Sequence, residues 1–193
     1  MVRDLHITEV PKKPISMNPK KFLVWLFMVT IVMLFAAFTS AYIVRKSEGN
    51  WVEFELPSVF YLSTFILLMS SVTMHWSYYN AKKDNLDFVK YGTILTLILG
   101  LVFVYTQFTG WDALVEQGVY FVGNPSGSFL YIITGLHGLH IFSGIVFLLI
   151  LLVATLKYKV HSKNMLLMEM GVTYWHFLDA LWVYLFIFLI LNR

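Results

Sequence analysis

Two pairs of polar side chains in otherwise apolar stretches are the residues of this sequence best placed to do chemistry. His137 and His140 stand three apart in TGLHGLHIFSG (Thr134–Gly144), and His176 and Asp179 stand three apart in GVTYWHFLDALWVYLFIFLILN (Gly171–Asn192). That spacing puts both members of a pair on one face of a helix. Two histidines so spaced could ligate a metal, but a metal site needs further ligands from other elements. Asp179 is the only carboxylate inside an apolar run. The simpler alternative is polar packing, with the imidazoles hydrogen-bonding across helices. A carboxyl group in hydrocarbon is costly, so Asp179 requires a partner. At about 1.5 Å of rise per residue, Asp179 lies roughly 11 Å from one end of its run and His140 about 12 Å from the same side of a bilayer core. The expected pairing is therefore Asp179 with a histidine of the fourth run, His140 first. Hydroxyls of Tyr, Ser or Thr, or the surroundings of His176, are the alternatives.

The elements that position these groups are long and apolar. The chain has 193 residues, 59% hydrophobic and only 13% charged, where a soluble domain carries about a quarter charged residues. The apolar residues fall in five runs, at 22–44, 58–79, 91–111, 128–156 and 172–191. Each is near the roughly 20 residues that cross a bilayer as a helix. Sustained strand-like alternation is absent, and only helices or closed barrels can span. The expectation is an all-α membrane protein: one domain of five transmembrane helices over 22–193, preceded by a polar tail over 1–21. Pro11, Pro14 and Pro19 interrupt any helix in that tail, and no convincing small-residue cleavage site precedes Arg45.

Charge placement gives an orientation. Of 14 Lys and Arg residues, 11 lie on the side of the N terminus, in the tail and in the connections holding Lys82, Lys83, Lys90, Lys157, Lys159 and Lys163. Arg45, Lys46 and Arg193 lie on the other. The positive-inside rule then expects a cytoplasmic N terminus and an external C terminus. The absence of cysteine excludes disulfides and thiolate chemistry. No P-loop, paired catalytic carboxylates or nucleophile–base motif is present, and nothing points to nucleic acid as a partner. Gly135, Gly138 and Gly144 are expected to let another helix come close, as is the stripe of Gly92, Thr96 and Gly100. His75, beside Trp76, Tyr78 and Tyr79, reads as an interfacial or packing residue, and Gln107 as an isolated polar group.

The two late stretches, GLHGLHIFSG (Gly135–Gly144) and YWHFLDALWVYLF (Tyr174–Phe186), resemble the two signature stretches of haem-copper oxidase subunit III. MLFAAFTSAYIVR (Met33–Arg45), SSVTMHW (Ser70–Trp76) and VYTQFTGWDAL (Val104–Leu114) resemble other parts of that family, in the same order. The resemblance runs from about Phe22 to the C terminus and is to the shorter, five-helix bacterial form. It implies a helical bundle with a lipid-holding cleft, docked directly on subunit I in a bacterial inner-membrane complex that also contains subunit II. That complex reduces dioxygen to water and pumps protons. This chain would have no active site of its own and hold no cofactor or metal, with haem and copper in the partner subunits and bound phospholipid in the cleft. It would stabilise the catalytic subunit and support proton and oxygen supply. On this reading His137, His140, His176 and Asp179 form a structural polar network, and Gly135, Gly138, Gly144 and Trp175 are signature packing residues. One departure stands out: Ile31 occupies the place where many members carry a glutamate, and Asp112 lies near another such place. If the family's carboxylate contributes to proton handling, that contribution is missing here or made elsewhere, and a structural role gains weight over a proton-conducting one. The rival readings are a small proton-coupled transporter using His140, Asp179 and His176, and an accessory subunit of a nitric oxide reductase.

Overall fold

The computed structural model describes residues 18–158, 160–161 and 164–192. Most of the expected N-terminal tail, with His6, Lys12 and Lys13, lies outside the described residues, as do Lys159, Lys163 and Arg193. Among the described residues the chain is all-α, with five helices long and apolar enough to cross a membrane. They are α1 (Pro19–Ser47), α2 (Val59–Lys82), α3 (Leu86–Glu116), α4 (Pro125–Leu156) and α5 (Leu166–Asn192). No strand occurs among the described residues, only an isolated bridge between His161 and Asn164.

Local chemistry sets the helix starts. Asn18 caps α1 by accepting from the Lys20 amide at 3.0 Å, and Pro19 takes the first helical position. Pro19 therefore begins a helix where the sequence suggested an interruption. Its missing N–H is one of the amides a helix start leaves unbonded anyway. The same device opens α4, where Asn124 accepts from the Ser126 amide at 2.9 Å and Pro125 follows. Asn124 also donates to the Asn50 carbonyl at 3.2 Å, so one side chain caps a helix and ties two loops together.

The helices do not pack as a closed ring. α2 and α3 form a tight antiparallel pair, and α5 lies against α1, α2 and α4, with its Trp175 and Trp182 rings reaching α3. Among the described residues, α1 contacts α4 and α5 but neither α2 nor α3. A groove therefore runs between α1 and α2, with α5 as its floor. α5 is the centre of the bundle: 56% of its most apolar window is buried within the chain, against 22% for α1.

Lipid tails are as apolar as leucine, so the helices associate through close packing and interhelical hydrogen bonds. Between α2 and α3, Thr73 and Thr96 hydroxyls lie 2.8 Å apart and Ser77 and Thr93 hydroxyls 3.1 Å apart. Gln107, read from the sequence as isolated, is buried and donates to Ser63 Oγ at 3.1 Å. The stripe of small residues on α3 divides between two neighbours. A side-chain carbon on Gly92 would come within 2.8 Å of Ser77 of α2, whereas one on Gly100 would meet the Trp175 ring of α5 at 2.8 Å.

Candidate functional site

A polar cluster forms where α5 meets α2. His176 and Asp179 lie side by side on one face of α5, as their spacing requires, with His176 Nδ1 3.9 Å from Asp179 Oδ2. The Asp179 side chain is only 5% exposed, and neither of its oxygens has a hydrogen-bond partner in the chain. Ser71 of α2 stands beside that carboxyl, but its hydroxyl bonds His176 Nδ1 at 2.6 Å. His176 Nε2 is buried with no partner. One turn further along α2, the His75 ring centroid lies 5.9 Å from that of His176.

The cluster has an open side. A cavity of about 330 Å³ at the start of α5 is lined by Lys21, His75, Tyr78, Glu169, Thr173 and His176. Lys21 of α1 and Glu169 of α5 form an ion pair across it at 3.0 Å, each a little over one third exposed. Solvation at that exposure leaves such a pair worth about 0–1 kcal/mol. Further along α5, a separate slot of about 330 Å³ is lined by Val32, Phe35, Ala36, Phe177, Ala180 and Tyr184. That lining is almost wholly apolar.

The expected pairing of Asp179 with His140 is not formed. Asp179 faces Ser71 on α2, whereas His140 packs on Phe35 of α1 and its Nδ1 lies 2.7 Å from the Leu136 carbonyl of its own helix. Depth along the membrane can be counted from the sequence; the direction a side chain takes around its helix depends on which neighbours it has. His137 does not join the cluster either. It is fully buried, ringed by Phe35, Phe103 and Trp182, with no hydrogen-bond partner for either ring nitrogen. The four expected network residues thus fall into three places: His176 with Asp179, His140 against α1, and His137 in an aromatic cage.

The signature glycines also separate. A side-chain carbon on Gly144 would meet Leu178 at 2.9 Å and the Trp175 ring at 3.1 Å. On Gly135 it would make ordinary contact with Trp111 at 3.8 Å, and on Gly138 it would meet nothing within 4 Å. Trp175 is 1% exposed, sits between Gly100 of α3 and Gly144 of α4, and donates its Nε1–H to Ser70 of α2 at 3.1 Å. One indole thus touches three other helices.

Ser71 and His75 were not singled out as partners of the α5 pair. Their four-residue spacing, which puts both on one face of α2, was the available signal. A serine, a histidine and an aspartate lie together here, yet not as a hydrolytic relay. Both oxygen groups approach the same Nδ1, so the imidazole does not stand between them as a serine–histidine–aspartate triad needs. No group of three histidine or acidic side chains converges as metal ligands among the described residues. The arrangement can hold a proton and anchor α5 to α2.

A family profile described as "Cytochrome c oxidase subunit III" matches residues 13–192. Relatives named "Cytochrome c oxidase subunit 3" include one from Bacillus sp. (strain PS3), 30% identical over 187 residues, covering 91% of this chain and 88% of the relative. One from Emericella nidulans is 36% identical over 137 residues, covering 69% of this chain; the chain spans about half (48%) of that longer relative. A third, named "Cytochrome bo(3) ubiquinol oxidase subunit 3", comes from Buchnera aphidicola subsp. Schizaphis graminum (strain Sg) and is 28% identical over 180 residues, covering 91% of this chain and 95% of the relative.

Proposed function

The chain belongs to the cytochrome c oxidase subunit III family, and on that premise we propose that it is a non-catalytic core subunit of an aerobic terminal oxidase. The complex reduces dioxygen to water and couples this to proton pumping. The carrying observation is the family match over residues 13–192. The cluster around Asp179 fits a supporting role, because its groups order and protonate but present no reaction centre. Haem and copper belong to the partner subunits, and this chain holds neither.

The chain acts as one transmembrane domain from about residue 22 onward, docked on subunit I in a bacterial inner membrane alongside subunit II. Its Lys-rich side faces the cytoplasm, in keeping with the positive-inside rule. The groove between α1 and α2 is the lipid-holding cleft. Its apolar slot, between Ala36 of α1 and Ala180 of α5, suits an acyl chain, since such a lining offers no polar group that hydrocarbon would leave unsatisfied. His176 anchors α5 to α2 through Ser71, with Asp179 beside it on the same face of α5, while His137 and His140 hold α4 against α1, α3 and α5. Gly144 and Trp175 set the approach of α4 to α5. Gly135 and Gly138 are left without tight contacts inside the chain and are available to a docked helix.

Purification through an affinity tag on this chain, in mild detergent, tests the assignment. The expected result is co-isolation of larger membrane subunits with a haem spectrum and bound copper. A chain that purifies alone and moves a solute across liposomes would instead support the transporter reading.

A further inference from the structure

Two of the cavities that border α5 differ sharply in chemistry, and the difference decides what fills them. The slot of Val32, Phe35, Ala36 and Ala180 is apolar. The cavity at the start of α5 exposes the charges of Lys21 and Glu169, the rings of His75 and His176, and the hydroxyls of Tyr78 and Thr173. Hydrocarbon against that second lining would strand charged and polar groups at several kcal/mol each. Water satisfies them. A volume of about 330 Å³ accommodates on the order of ten waters at about 30 Å³ each.

Behind this lining are three polar atoms that the protein itself leaves unpartnered and buried: His176 Nε2 and both oxygens of Asp179. A buried polar group without a hydrogen bond costs about 1–3 kcal/mol. Three together, one turn from a polar cavity, point to a ligand that can both donate and accept.

We propose that the cavity is a water-filled inlet, entered from the end of the bundle that carries Lys21, and that it leads to a proton-binding site at Asp179 and His176. The facing titratable groups are Lys21 from α1, His75 and Tyr78 from α2, and Glu169 and His176 from α5. From α4, His140 turns away toward α1. In the exchange step the Asp179 O–H bond breaks, a water in the inlet accepts the proton, and the excess proton leaves through the mouth. The reverse step reloads the carboxylate, and no other reactant is needed. Water access is one-sided, because the other cavity bordering His176, about 600 Å³ and lined with Ser71, Val72, Trp76 and Tyr79, is mostly apolar. On the far side of Asp179, Trp182 and Leu185 are fully buried, and His137 is walled in by Phe35, Phe103 and Trp182. The inference rests on the membrane placement of the helices and not on the oxidase assignment.

The chain contains no cysteine, so single cysteines report on water directly. Thr173→Cys probes the inlet and Ala180→Cys the apolar slot, each in the full chain in native membrane vesicles of defined sidedness. The probe is a charged, impermeant methanethiosulfonate, and the readout is the mass of this chain. Thiolates form and react where water reaches them, so Thr173→Cys is expected to react at least about tenfold faster than Ala180→Cys, and only from the Lys21 side. Equal slow rates would overturn the inlet, and equal rates from both sides would overturn its one-sidedness. If Thr173→Cys does not fold, Val172→Cys lines the same cavity and replaces it. Infrared difference spectra complete the test. A carboxyl C=O band absent in Asp179→Asn should shift promptly in D2O, and a band that fails to shift would overturn the proton site.

Discussion

Trp175→Ala is expected to lose about 3–5 kcal/mol of stability, the usual cost of deleting a large buried aromatic side chain. Few positions in the chain concentrate so much contact. The indole is 1% exposed, fills the space left by Gly100 and Gly144, and bonds Ser70. In a bilayer the apolar interior of the bundle gains little from exclusion of water, so the loss falls on dispersion contacts and on the helix spacing they set. Gly144→Val attacks the same joint from the other side. Its first side-chain carbon alone would stand 2.9 Å from Leu178 and 3.1 Å from Trp175, an overpacking worth about 1–3 kcal/mol. Trp175→Phe gives up the bond to Ser70, about 1 kcal/mol, and also the outer ring atoms that meet Gly100 and Gly144, so it too loosens this joint, though less than Trp175→Ala. The measurement is the midpoint of thermal unfolding of the detergent-solubilised complex, together with the amount of this chain retained in it. Trp175→Ala is expected to do the most damage, more than either Gly144→Val or Trp175→Phe. An unchanged midpoint for Trp175→Ala would contradict the packing described for α3, α4 and α5.

Asp179→Asn is expected to act differently, on durability instead of folding. Asparagine keeps the size of the side chain, and the 2.6 Å contact between Ser71 and His176 does not involve Asp179. The joint between α2 and α5 therefore survives, and the complex should assemble and begin reducing dioxygen at close to its normal rate. What is lost is an ionisable proton beside His176. The number of turnovers completed before the oxidase inactivates is then expected to fall several-fold. Oxygen consumption followed to exhaustion of activity, with the initial rate and the total turnover scored separately, checks this. Immediate loss of turnover in a fully assembled complex would contradict the accessory role.

The membrane-spanning helices were legible because length and apolarity are sufficient signals for them. Helix ends were less so: Pro19 reads equally as a breaker or as a first helical residue, and only the Asn18 cap decides between them. The pairing of His176 with Asp179 could be read because it is local to one helix. The partner across helices could not. Asp179 and His140 can share a depth and still face different neighbours, and sequence spacing carries no information on how one helix is rotated against another. The glycines show the same limit. Gly92 and Gly100 lie on one face of α3, yet one meets Ser77 and the other Trp175, because α2 and α5 divide that face between them. Gln107 looked isolated for a related reason, since its partner Ser63 lies 44 positions away on another helix.

The central claim is that the chain supports a terminal oxidase without performing its chemistry. The most direct measurement is on the oxidase with this one subunit removed by detergent or by deletion. The expected result is an unchanged haem and copper content, an initial rate of dioxygen reduction near that of the intact complex, and a much faster decline during turnover. Loss of a haem or copper signal together with this chain, or no initial turnover in a complex that keeps its metals, would contradict it.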